Sequence, residues 1–143
     1  REDGPPPQVD LKLERLTSEF IRHLIDARIV NAVHDVSDGG PLVAVAEMAL
    51  AGNIGVELET AIDIEGPAGW FGEDQGRYIV TVSDPADPRL VDAARKADIY
   101  FAHLGVTSGR EISVIGNAVS LADLRAAHEG FFPKLMGADA ALA

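Results

Sequence analysis

Residues 42–51 read Leu-Val-Ala-Val-Ala-Glu-Met-Ala-Leu-Ala, apolar nearly all the way round with Glu47 as the one charge. A helix without a polar face must be buried on most sides, so the fold has to supply layers around it. Pro41 suits the first helical position, where its missing N–H costs nothing, and Gly52 stops the run. With 143 residues, 47% of them hydrophobic, the chain can bury a proper core without metals or disulfides. It has no cysteine, which removes a disulfide framework, thiolate zinc sites and cysteine nucleophiles together. The net charge of -11 and the absence of any Lys/Arg cluster argue against a nucleic-acid partner.

The other elements alternate around that helix. Leu13, Leu16, Phe20 and Leu24, with Ile21 and Ile25 beside them, predict an amphipathic helix over residues 10–28. Residues 29–34 read as a buried strand meeting Asp35. Val56 and Leu58 predict a short strand and residues 62–64 another, and the Gly-Pro-Ala-Gly of residues 66–69 predicts a break before Trp70. Residues 77–82 carry apolar or β-branched side chains on both faces, the pattern of a central strand covered on two sides. Residues 90–97 predict a short helix, and residues 99–106 and 111–115 two strands around Ser108-Gly109. Ser120 and Asp123 form a capping box that opens a last helix running to about residue 129 or beyond. Trp70, Phe71, Phe131 and Phe132 read as core.

Without a regular βαβ period, this order predicts the α+β class, a sheet with helical layers. The start at Arg1 and the run Gly4-Pro5-Pro6-Pro7 make residues 1–9 a linker or truncated junction from a longer protein, with a single domain over residues 10–143. No apolar run is long enough to span a bilayer and no signal-peptide core is present, so the expectation is a cytoplasmic protein with no membrane partner.

Two segments hold the candidate chemistry. In His34-Asp35-Val36-Ser37-Asp38-Gly39-Gly40, two glycines before a helix let a ligand approach the backbone, where free N–H groups favour an anion such as phosphate. Asp35 and Asp38 would repel that anion unless Mg2+ sat between them. The alternative is that Asp38 caps the helix, Asp35 orders the turn and the glycines satisfy special dihedrals. His34 is a candidate base or substrate hydrogen-bonding group, or a structural residue at a strand end. In Gly72-Glu73-Asp74-Gln75-Gly76-Arg77, the carboxylates and amide suit ribose hydroxyls or an amide substrate, and Arg77 suits a carboxylate or phosphate. The alternative is a polar turn in which Arg77 pairs with Glu73. His23, His103 and His128 lack metal-ligand spacing and there is no nucleophile elbow, so no catalytic residue is assigned.

Four motifs in order carry a family resemblance: Ala-Val-His-Asp-Val-Ser-Asp-Gly-Gly at residues 32–40, Val-Ala-Glu-Met-Ala at 45–49, Phe-Gly-Glu-Asp-Gln-Gly-Arg-Tyr at 71–78 and Ala-Asp-Leu-Arg-Ala-Ala-His-Glu at 122–129. Together they resemble the C-terminal domain of the phosphoribosylformylglycinamidine synthase synthetase subunits, related to aminoimidazole ribonucleotide synthetase, over residues 9–136. The resemblance implies a three-layer α/β/α unit with a mixed β-sheet. It also implies a longer enzyme in which ATP and Mg2+ drive formylglycinamide ribonucleotide to its amidine in purine biosynthesis, with ammonia from glutamine. Its partners would be the remaining domains of the same chain, a glutaminase subunit and a small accessory subunit. ATP and Mg2+ belong to that longer enzyme, and neither is assigned to this domain on its own.

By motif, Asp35 matches a Mg2+-binding Asp, and Glu73, Asp74 and Gln75 match a substrate-binding Glu-Ser-Gln turn, both of which the first copy of this domain contributes in the family; for this last copy the resemblance leaves open a vestigial site or one bordering an auxiliary nucleotide site. His34, Gly39, Gly40 and Arg77 join them as nucleotide- or substrate-binding candidates. The chain departs from the family at Asp74, in place of Ser, and at Pro41, in place of Leu. Two other readings stay open: a structural or assembly module without catalysis, and a domain of a related ATP-using enzyme of the selenophosphate synthetase or thiamine monophosphate kinase type.

Overall fold

The computed structural model describes residues 9–59 and 66–137. The strand expected at residues 62–64, and most of the linker, lie outside the described residues. The elements run α1 (Leu11–Asp26), β1 (Ala32–Asp35), α2 (Gly40–Gly52), β2 (Val56–Leu58), α3 (Gly66–Phe71), β3 (Tyr78–Thr81), α4 (Pro88–Ala97), β4 (Gly105–Thr107), β5 (Glu111–Val114), β6 (Asn117–Ser120) and α5 (Leu121–Leu135). They fall into two units, Arg1–Val45 with Ala61–His103, and Ala46–Thr60 with Leu104–Ala143. The nearly all-apolar α2 is covered as its composition requires: Ala44, Val45 and Ala49 are buried, Leu42, Val43, Ala46, Met48 and Leu50 half-buried, and Glu47 faces out.

In the first unit the Asp10 carboxylate accepts the Lys12 and Leu13 N–H groups, each at 3.0 Å, and starts α1. Phe20, Ile21 and Leu24 of α1 then pack with Ile29, Leu90 and Ala94. The helix closes through Arg28 in the left-handed region (φ 53) and the Ile29 N–H on the Leu24 carbonyl at 3.0 Å. That closure turns Ile29 into the core, so the strand begins at Ala32 rather than at residue 29.

β1 and β3 pair antiparallel with Val33 opposite Val80 and His34 opposite Ile79, and Val30, Val33, Val80 and Val82 pack against the core cluster. Among the described residues β3 pairs with β1 alone, and its Ile79, Val80 and Thr81 are half-buried. The expected central strand covered on two sides is therefore one half of a hairpin-like pair with one face on the core.

Two further expectations change for local reasons. Residues 66–69 form the first turn of α3 instead of a break, because a proline early in a helix loses no hydrogen bond. The strand expected from residue 99 begins only at Gly105, because Asp98 (φ 54) ends α4 in the left-handed region and the Ile99 N–H returns to the Ala94 carbonyl at 3.0 Å. At the other end of α4, Asp87 caps the Arg89 N–H at 2.8 Å, and the Arg89 guanidinium bonded to it holds its carboxyl below the ordinary range.

The second unit holds a mixed four-stranded sheet in the order β4-β2-β5-β6. β2 runs antiparallel to β4 and parallel to β5, and β5 runs antiparallel to β6. A mixed sheet with helices is the α+β arrangement the sequence predicts. The unforeseen strand is β6, reached through Ile115 (φ 49) and Gly116 (φ 74), a two-residue turn of the type usually written Asn-Gly.

Ser120 opens α5 as expected: its hydroxyl accepts the Asp123 N–H at 3.0 Å and donates to the Asp123 carboxylate at 2.6 Å. Arg125 donates to the Leu50 carbonyl at 2.8 Å and Arg110 to the Asn53 carbonyl at 3.1 Å, so two guanidinium groups satisfy carbonyls at the end of α2. Three of the four aromatic residues expected in the core are not there. Trp70 is buried at 5%, whereas Phe71, Phe131 and Phe132 are 54%, 59% and 68% exposed. For the last pair the reason is that only the start of α5 is covered: Leu121 is buried and every residue of 126–135 is exposed. No helix among the described residues is long and apolar enough to cross a membrane.

Candidate functional site

Antiparallel pairing of β1 with β3 brings the two candidate segments together, although 34 residues separate Gly39 from Glu73. Asp35 lies opposite Tyr78, the Val36 N–H donates to the Arg77 carbonyl at 2.9 Å, and the Gly39 N–H donates to Glu73 Oε1 at 2.9 Å. Gly39 and Gly40 have φ of 80 and 72, a region that favours glycine. The space a Cβ on Gly40 would need is filled by the chain itself, with the Phe71 carbonyl carbon at 2.6 Å and the Gly72 oxygen at 2.8 Å.

Asp38 is not the helix cap. It is exposed, α2 begins only at Gly40, and Asp38 makes no hydrogen bond among the described residues. The Gly40 N–H goes to the Ser37 carbonyl at 3.0 Å instead, so two left-handed glycines rather than a carboxylate set the helix start. Asp38→Ala is accordingly expected to change unfolding free energy by less than about 0.5 kcal/mol, measured by urea titration.

His34 Nδ1 lies 2.6 Å from the Asp35 carbonyl oxygen, which requires that nitrogen to carry the proton. The Asp35 carboxylate, exposed, stands 3.8 Å from the same ring nitrogen. Arg77 does not pair with Glu73. Its guanidinium donates to the Gly72 carbonyl at 2.5 Å and lies 3.2 Å from the Asp74 carboxylate. The residue that departs from the family turn thus has its extra negative charge met by Arg77.

Asp35, Val36, Gln75, Gly76, Arg77 and Tyr78 line one side of an open cleft of about 570 Å3, and Leu11, Glu14, Arg15 and Ser18 of α1 line the other. No α1 residue stands out from the sequence as a site residue, because Glu14 and Arg15 belong to the polar face of an amphipathic helix. The signal was the spacing of 11, 14, 15 and 18, which puts these residues on one side of the helix. Among the described residues no three His, Asp or Glu side chains converge on a metal position. The cleft offers the carboxylates of Asp35 and Glu14, a donor set that suits a Mg2+ ion completed by phosphate oxygens and not a cage built by protein alone.

Residues 1–117 match the family described as AIR synthase related protein, C-terminal domain. Curated relatives include phosphoribosylformylglycinamidine synthase subunit PurL of Zymomonas mobilis, 50% identical over 137 residues, and that of Methylocella silvestris, 44% identical over 139 residues. These matches cover 95% and 96% of this chain but 18% and 19% of the relatives, so the chain spans about a fifth of their length. Among solved structures, Thermotoga maritima PurL complexed with FGAR superposes with a TM-score of 0.67 at 21% identity, covering 81% of this chain and 21% of that one. The same protein complexed with ATP gives 0.65, also at 21% identity, with 80% and 22% covered. At that identity the likeness establishes the fold.

Proposed function

The chain belongs to the AIR synthase related protein C-terminal domain family, and we propose that residues 10–143 serve as the C-terminal domain of an ATP-dependent phosphoribosylformylglycinamidine synthase. The observation that carries this is the 44–50% identity to PurL subunits over 95–96% of the chain. The longer enzyme would convert formylglycinamide ribonucleotide to its amidine in the cytoplasm, with ammonia released by a glutaminase subunit and a small accessory subunit completing the assembly. A solved complex named PurLQS of Thermotoga maritima supports such partners. Exposed apolar side chains such as Leu11, Leu13, Tyr100 and Met136 suit cover by the remaining domains of the same chain.

In this reading the cleft contributes one wall of a nucleotide or substrate site. Mg2+, when bound by Asp35 and phosphate oxygens, would supply the positive charge that two neighbouring anions need. Gln75 supplies an amide that can both donate and accept toward ribose or substrate amide. The Arg77 guanidinium, held by Asp74 and Gly72, keeps that turn folded against the β1 loop. His34, with Nδ1 tied to the backbone, orders the strand end.

The test is a chimera in which this chain replaces the matching segment of the Zymomonas mobilis subunit. Ammonia-dependent amidine formation is expected within about tenfold of the parent, equivalent to a barrier change of about 1.4 kcal/mol. A folded chimera that binds ATP but forms no amidine would favour the kinase-like or purely structural readings.

A further inference from the structure

We propose that Glu73 is a positioning residue, which reaches from the turn after α3 to hold the Asp35-bearing loop by the Gly39 N–H. The family resemblance would place Glu73 on substrate, but the geometry separates the three polar side chains of its turn. Gln75 lines the cleft, the Asp74 carboxylate is engaged by Arg77, and Glu73 is absent from the cleft lining and accepts the Gly39 N–H at 2.9 Å. The loop needs such a hold. It leaves β1 through the Val36 N–H on the Arg77 carbonyl, and Ser37 and Asp38 are then exposed until Gly40 backs onto Phe71 and Gly72. Glu73 bridges that interval, fixing the far end of the segment that presents Asp35.

Such a role depends on an oxygen acceptor at the right reach and not on negative charge. Gln keeps both the length and an acceptor oxygen, whereas Asp keeps the charge and is one methylene short. A residue acting on a ligand through its charge would rank the two variants the other way round, so the pair separates the roles.

The experiment is hydrogen exchange at the Gly39 amide in the 143-residue chain, for wild type, Glu73→Gln, Glu73→Asp and Glu73→Ala, with melting curves to establish that each variant is folded. Wild type and Glu73→Gln are expected to exchange slowly, and Glu73→Asp and Glu73→Ala about tenfold faster, the order of effect of losing one hydrogen bond of ordinary net strength. Equal rates in all four proteins, or protection kept by Asp and lost in Gln, would overturn the proposal. The measurement is independent of the activity proposed above, so an inactive chimera and a failed loop hold are told apart.

Discussion

Supplied with ATP, Mg2+, ammonia and formylglycinamide ribonucleotide, the 143-residue chain is expected to form no amidine above a buffer control. Phosphoryl transfer is catalysed by cations and donors converging on the transferred group from several sides. The described cleft has two cations, and both are engaged: Arg15 with Glu19 at 2.8 Å and Arg77 with Asp74 at 3.2 Å. With a net charge of -11 the chain offers a polyphosphate a repulsive environment unless metal intervenes. The remaining four fifths of a synthase would have to bring the opposing donors, and losing them should remove an acceleration of at least about 10⁶-fold. A chromatographic assay for the amidine after repeated purification checks this, and turnover that follows the protein through each step would contradict it.

Gly40→Ala is expected to destabilise the chain by about 3 kcal/mol, and to do so without any ligand present. The residue has φ 72, which costs a non-glycine residue roughly 1–2 kcal/mol. A new methyl group would also lie 2.6 Å from the Phe71 backbone, and overpacking of this kind costs about 1–3 kcal/mol. Gly109→Ala is the control: it has φ 60 but nothing within 4 Å, so only the backbone cost of about 1–2 kcal/mol remains. Denaturant unfolding followed by Trp70 fluorescence distinguishes the two variants. If Gly40→Ala cost no more than Gly109→Ala, the close approach of the Phe71–Gly72 backbone would not be what requires glycine there.

The candidate segments were legible because they are two short contiguous runs, although only Asp35, Gln75 and Arg77 of their candidate residues line the cleft. His34, Asp35, Gly39 and Gly40 stand out as polar and glycine residues between a strand and an apolar helix, and Glu73, Asp74, Gln75 and Arg77 as a polar turn before a strand. Their partners were not legible. Glu73 and Asp74 are adjacent carboxylates with similar reach, and composition could not choose between them as the partner of Arg77. The choice follows from the Gly39 N–H, which lies 34 residues away in sequence and engages Glu73. The α1 wall of the cleft was hidden for a different reason, since a polar helix face has the same pattern whether it meets water or lines a cleft.

The sequence by itself determined the local rules: Ser120 as a helix cap, the amphipathic stripe that buries Phe20 and Leu24, the burial of α2 on most sides, and the family through four ordered motifs. Each rests on neighbours within a few residues or on a repeat of hydrophobicity, so the chain carries the information locally. Only the tertiary structure decided where apolar runs stop being strands. Ile29 and Ile99 each leave a helix through a left-handed residue and serve as core plugs or packing residues, which pattern alone cannot separate from a strand start. It also left Phe131 and Phe132 exposed and gave Gly40 to a neighbouring backbone segment. Those outcomes depend on which distant surface arrives at each residue, and an apolar or glycine residue carries no label for the partner that will meet it.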